Sequence, residues 1–199
     1  IYITPRCVGE DGWELSIKAL IDNADCSHKA RFTLIDADGN EKASTIADLR
    51  PIISAKLPVE DPVLWNGRKN PYLYTVKCEI FDSTTQEVTD NIDIRTGLRE
   101  YHIDSHKGFF LNGEHIKLQG VSRHQDRENM GNAITEKQHA EDVKIILDVG
   151  ANSVRLAHYQ QNSYFYDLCD ESGLLVWAEV PVISRFSPKR NENAEQQLV

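Results

Sequence analysis

No apolar run in this 199-residue sequence approaches the roughly 18 residues that a membrane-spanning helix needs, so a soluble protein with no membrane partner is expected. Cations are scarce as well: 22 Lys and Arg stand against 31 Asp and Glu, for a formal net charge of -9, and no basic stripe is visible. Phosphate backbones demand clustered Lys and Arg, so nucleic acid is excluded as a partner and a neutral ligand fits better. Cysteine is sparse and scattered, with Cys7, Cys26, Cys78 and Cys169 forming no CxxC pair and having no His at ligand spacing. That spacing predicts reduced, partly buried thiols rather than disulfides or a metal. The first residues, IYITPRC, lack the basic n-region, long apolar h-region and small-residue cleavage site of a signal peptide. They read as a strand entered mid-protein, and the expected compartment is the cytoplasm, or the periplasm or exterior if a longer parent supplies a signal.

What is present is ordinary globular composition, 40% hydrophobic and 27% charged. A length of 199 residues suits two domains of about a hundred each. The pattern changes near position 100. Before it, apolar and polar residues alternate in WELSIKALI at 13–21, ARFTLID at 30–36, ISAKLP at 53–58, YLYTVKCEIF at 72–81 and DNIDIRTG at 90–97. Such runs are half-buried antiparallel strands, separated by the turn chemistry of DADGN at 36–40 and NGRKNP at 66–71. Residues 1–100 are therefore predicted to form an immunoglobulin-like β-sandwich, without the Cys…Trp…Cys signature of antibody domains.

From 101 to 199 the period switches. HIKLQGV at 115–121 predicts a strand, and TEKQHAEDVKIILDVG at 135–150 a helix with apolar residues at 140, 143, 146 and 147 on one face. NSVRL at 152–156, NSYFYDLCDESG at 162–173 and LLVWAEVP at 174–181 continue as strand, helix and strand. Thr135 and Gln138 suit a capping box, and Gly150 and Gly173 suit helix stops. The order β-α-β-α-β implies parallel strands with right-handed crossovers.

A buried strand normally avoids charge, yet NSVRLAHY at 152–159 carries an arginine in its middle and a histidine near its end. The topology accounts for it. Arg123 and His124 follow the first strand of this half, Arg155 and His158 mark the second, and Glu179 the third. The carboxyl ends of parallel strands lie side by side, so these five groups are expected at one rim. A lone histidine at a strand end is more often an ordinary hydrogen-bonder than a catalyst, but three strands with the same habit predict a site. Arg and His donors beside the flat faces of Tyr159, Trp177 and Tyr164 suit a sugar. A phosphorylated metabolite would use the same cations, but no glycine-rich phosphate cradle occurs in any βα loop.

The runs GFFLNGEHIKLQGVSRHQD at 108–126 and GANSVRLAHYQQNSYFYDLCDESGLLVWAEVP at 150–181 resemble the start of the catalytic barrel in glycoside hydrolase family 2, β-galactosidases more than β-glucuronidases or β-mannosidases. VEDPVLWNGRKNPYLYTVKCEIFD at 58–82 and RTGLRE at 95–100 are similar to the immunoglobulin-like domain that precedes that barrel. The resemblance implies a β-sandwich followed by the first β/α units of a TIM (β/α)8 barrel. It further implies that His124 and His158 contact the sugar, that Arg155 supports the nucleophile, that Glu179 orients its neighbours and that Asp126 is a weaker candidate for a hydroxyl contact. Gln160 stands where the family usually has Pro, and Ser122 where Asn is commoner. Magnesium-using β-galactosidases place a Glu and a His shortly after the third strand, where this chain has Ile183 and Arg185, so no magnesium site and no cofactor are expected.

The implied reaction is retaining hydrolysis of a terminal β-galactoside, in which one glutamate protonates the leaving oxygen and another, about 5 Å away, attacks the anomeric carbon. The resemblance places both glutamates beyond Val199. The Asn-Glu pair within NEN at 191–193 follows no apolar strand and is rejected as the acid/base. The alternative, from another class, is a non-catalytic carbohydrate-binding or structural module. The partner is accordingly a β-galactoside or related oligosaccharide, with self-association expected through an open barrel edge.

Overall fold

The structure, a computed structural model, describes residues 1–8 and 12–181. Alternation with a period of two builds its first compact unit, Ile1–Asn66 with Tyr72–His115. Strands β1 (Tyr2–Val8), β2 (Gly12–Leu20), β3 (His28–Ile35), β4 (Glu41–Asp48), β5 (Ile52–Val59), β6 (Tyr74–Asp82) and β7 (Val88–Thr96) form two antiparallel sheets, ordered β1-β2-β5 and β4-β3-β6-β7. Leu15 and Ile17 of β2, Phe32 and Leu34 of β3, Leu57 of β5 and Val76 of β6 meet in one core. Each side chain of this size contributes about 1.5–3 kcal/mol on burial, so the alternating faces hold the sheets together.

The strand β4 escapes sequence reading for a physical reason. Its inward residues, Ala43, Thr45 and Ala47, are small and only half-buried, whereas its large apolar residue, Ile46, is 52% exposed. An edge strand of this kind carries no apolar alternation to detect. Three short strands follow, β8 (Tyr101–Asp104), β9 (Gly108–Leu111) and β10 (Glu114–Ile116), in a sheet ordered β10-β9-β8. Packing thus places residues 101–115 with the sandwich unit, whereas the division at 100/101 assigns them to the barrel part.

The second unit comprises Gly67–Pro71 and the described residues from Ile116 onward. Its elements are β11 (Gly120–Arg123), α1 (Glu136–Asp148), β12 (Ser153–Leu156), α2 (Ser163–Ser172) and β13 (Leu175–Ala178), and the strands pair in parallel in that order. The run HIKLQGV, expected as one strand, is divided between β10 and β11. Asn152 explains the break: its side chain donates to Lys117 O at 2.9 Å and accepts from Gln119 N at 2.8 Å, using up groups that would otherwise join a ladder. Gly120 then opens β11 because a Cβ there would lie 2.3 Å from Ser153 O.

Both helices carry the expected end chemistry. Thr135 N donates to Gln138 Oε1 at 2.9 Å, Asn162 Oδ1 accepts from Tyr164 N at 2.9 Å, and Gly173 ends α2 at φ 72°. The buried stripe of α1 is His139, Val143 and Ile146, with Ala140 exposed, so the apolar face expected from 140 is displaced by one residue toward a histidine. Val143, Ile146, Val154, Leu156, Phe165 and Cys169 pack together between helices and sheet. None of the four cysteines is in a disulfide; Cys7 and Cys26 are exposed, and burial pushes the thiols of Cys78 and Cys169 up to about 11 and about 12.

Candidate active site

Parallel pairing decides which side chains share a face. Ser122 pairs with Arg155 and Arg155 with Trp177, so these three project from the same side of the sheet, opposite to the buried Val154 and Leu156. Just beyond the three strand ends lie His124, His158 and Glu179. The peptide between Ala157 and His158 is cis.

Glu179 joins the second and third strand ends. Its Oε1 accepts from Arg155 Nε at 2.5 Å, and its Oε2 lies 2.7 Å from His158 Nδ1. A carboxylate can only accept, so His158 Nδ1 carries the hydrogen. The 3.3 Å approach of Arg155 Nη2 to that nitrogen is therefore a proximity and not a second hydrogen bond. Held this way, neutral His158 offers Nε2 as an acceptor for a hydroxyl, and its cation offers a donor. Hydrogen bonds from His158 and then Arg155 hold the Glu179 carboxyl below its ordinary range, so it stays ionised at neutral pH and cannot serve as a proton donor there.

His124 completes the group. Its ring stands edge-on to His158 with centroids 5.4 Å apart and lies 6.1 Å from Tyr159. Asp126 is exposed two residues further on, and among the described residues it hydrogen-bonds to none of these four groups. Trp177 is 60% exposed beside Arg155, leaving its face open. No group of three or more His, Cys, Asp or Glu among the described residues could hold a metal ion. Ile183, Arg185 and the NEN run at 191–193 lie outside the described residues.

Two expected members of the rim are elsewhere. Arg123 turns into the helix layer, where it is 6% exposed. It donates to Asp142 Oδ2 through Nε at 2.9 Å and Nη2 at 2.7 Å, to Gln161 Oε1 through Nη1, and sits 3.9 Å from the Phe165 ring centroid. Strand alternation explains this: Arg123 pairs with inward-facing Leu156, one position out of phase with Arg155. Tyr164 follows it, lying 6.3 Å from the buried His139 ring on the helix side. His139 accepts from Arg123 at Nδ1, 3.0 Å away, and burial with the neighbouring guanidinium keeps it neutral by lowering its pKa.

Two glutamines near the histidines escape sequence reading. Gln125 N donates to Tyr159 Oη at 3.0 Å, Gln125 Oε1 accepts from Asn162 N at 2.7 Å, and Gln161 Nε2 donates to Arg123 O at 3.1 Å. Their only sequence signal is nearness to His124 and to the HY pair at 158–159.

Comparison with known proteins matches both halves. A family described as "Glycosyl hydrolases family 2" matches residues 1–99, and one described as "Glycosyl hydrolases family 2, TIM barrel domain" matches residues 103–198. A β-glucuronidase of Bacteroides fragilis is 35% identical over 100% of this chain and 31% of its own length. A β-galactosidase of Thermoanaerobacter pseudethanolicus is 32% identical over 84% of this chain and 23% of its own length. The solved structure of a Bacteroides uniformis β-glucuronidase superposes with a TM-score of 0.87 and 30% identity, over 99% of this chain and 25% of that one. The chain spans less than a third of the length of the relatives it matches. Its fold is an immunoglobulin-like β-sandwich followed by the first β/α units of a TIM barrel.

Proposed function

The chain belongs to glycosyl hydrolase family 2, and on that premise we propose that the protein carrying it is a retaining glycosidase that cleaves a terminal β-D-galactoside. One observation carries the reading: the ends of β12 and β13 deliver Arg155, His158 and Glu179 into one hydrogen-bonded group, and the end of β11 sets His124 against it. Glu179 has both oxygens engaged and is held ionised, so its role is to orient. It fixes the Arg155 fork and the His158 ring, and fixed groups stabilise developing charge without reorganising at the moment of reaction. His124 and His158 grip hydroxyls, and the exposed Trp177 indole offers a C–H face. The proton and the covalent bond fall to other carboxylates of the protein.

A second reading, a β-D-glucuronidase, is favoured by the Bacteroides fragilis relative of that name, which aligns with the whole chain. The two sugars differ in a carboxylate, which needs a cation. Arg155 is already neutralised by Glu179, which supports the galactoside. Turnover of p-nitrophenyl β-galactoside and β-glucuronide by the intact protein decides: faster galactoside turnover is expected, the reverse favours the second reading, and sugar binding without turnover of either returns the chain to a non-catalytic binding module.

A further inference from the structure

His124 and His158 each sit between two residues that are tied to the flanks of the other. On their amino sides, the carbonyl of Arg123 accepts from Ala157 N at 3.0 Å and from Gln161 Nε2 at 3.1 Å. On their carboxyl sides, Gln125 N donates to Tyr159 Oη at 3.0 Å, and Gln125 Oε1 accepts from Asn162 N at 2.7 Å. The exchange is reciprocal. Gln161, in the loop after β12, reaches back to the end of β11, and Gln125, in the loop after β11, reaches across to the start of α2. Gln161 is 8% exposed, and its Oε1 also accepts from the Arg123 guanidinium that Asp142 anchors to α1.

The lacing matters because the sheet cannot do this work. The ladder between β11 and β12 ends at Arg123 and Leu156, short of both histidines. Beyond it, among the described residues, Glu179 holds the His158 side chain, while Gln125, Tyr159 and Gln161 tie the backbone on either side of the two rings. We infer that Gln125, Tyr159 and Gln161 are positioning residues that set the spacing and angle of the His124 and His158 rings. What those rings act on rests on the glycosidase reading above; that the ties hold them does not. A displacement of about 1 Å at reacting groups can cost on the order of 100-fold in rate, so ties of this kind bear on kcat more than on substrate affinity.

The test uses the intact protein with Tyr159→Phe, which removes the hydroxyl acceptor, and Gln161→Met, which keeps side-chain length without its hydrogen bonds. Each is expected to lower kcat on the better p-nitrophenyl glycoside by about 10- to 100-fold while KM changes by less than about 3-fold. Gln161→Glu keeps the acceptor for Arg123 Nη1 but loses the donor to the Arg123 carbonyl, so it should recover part of the loss; full recovery overturns the role of that carbonyl tie. The double variant should fall by less than the product of the singles, because the ties act as one unit. Hydrogen exchange should rise in peptides covering 121–127 and 156–162, with β12 and α2 otherwise protected as in the wild type. Unchanged kcat in both single variants, or a loss that tracks a lowered melting temperature without selective exchange, overturns the inference. If the wild type turns over neither glycoside, the catalytic premise fails by itself, and exchange decides the lacing: selective loosening of the two peptides supports it and unchanged protection overturns it.

Discussion

Glu179 Oε2 stands 2.7 Å from His158 Nδ1, although the two residues belong to different strand ends, 21 positions apart. The contact both ionises the carboxyl and fixes the tautomer of the ring. A carboxyl whose pKa is lower in the folded than in the unfolded chain adds stability above its unfolded value and loses it as pH falls through its folded value. Glu179 is depressed from its ordinary 4.5 by His158 and Arg155. Glu179→Gln is therefore expected to melt below the wild type near neutral pH, with the gap closing as pH falls below the ordinary 4.5 and on through the lower value of the folded carboxyl. Thermal melts of both proteins across that range provide the check, and a gap that is constant with pH contradicts the assignment.

Arg123→Lys is expected to destabilise the second unit by about 3 kcal/mol, because one ammonium cannot replace a fork that serves Asp142, Gln161 and His139 together. Urea denaturation measures it. A loss below about 0.5 kcal/mol would place Arg123 among ordinary surface positions and not in a buried network.

The sequence makes the alternating strands and both helices legible because each buries large apolar residues at a regular period. Phe32 and Leu34 on β3 or Val143 and Ile146 on α1 announce a face by themselves. Failure follows where the inward residue is small or polar, as with Ala43 on β4 and His139 on α1. The convergence of Arg155, His158 and Glu179 follows from topology alone, since parallel strands share a carboxyl rim. Arg123 does not, because strand ends by themselves do not say which face a residue takes; only its register opposite Leu156 does. Gln125 and Gln161 are less legible still, for their role is a pairing across 37 and 38 positions with no periodic signature.

Asn152→Ala removes the two side-chain bonds that hold residues 117–119 and should cost about 1–3 kcal/mol. Gly120→Ala, which drives a Cβ against the Ser153 carbonyl, should cost a similar amount by forcing the strands apart. Denaturant titration of each variant tests the pair, and wild-type stability in both would mean that the start of β11 is set by something other than this clamp.

Large apolar residues remain in solvent on both faces of the parallel sheet, Trp177 60% exposed on the side of Arg155 and Val121 38% exposed on the opposite side, in register with Val154. We propose that a second copy of the 199-residue chain covers part of this surface, since exposed apolar patches promote association. Sedimentation velocity should show species heavier than a monomer at high concentration, diminished by Trp177→Ser. A strictly monomeric chain at every concentration counts against the proposal.

The most direct test of the site is His158→Ala in the intact protein. Removal of the ring takes away the group that we propose faces the sugar and the His158 hydrogen bond to Glu179, leaving Arg155, among the described residues, to fix that carboxylate. Both losses act where charge develops, so kcat on the β-glycoside should fall by about 100-fold or more. Residues 1–199 by themselves are expected to show no turnover above background even when circular dichroism reports a folded chain, because Glu179 is held ionised and Asp126 hydrogen-bonds to none of the clustered groups. Hydrolysis by that chain would mean that one of its own carboxylates supplies the acid. An intact His158→Ala protein with wild-type kcat would instead reduce His158 to a structural partner of Glu179.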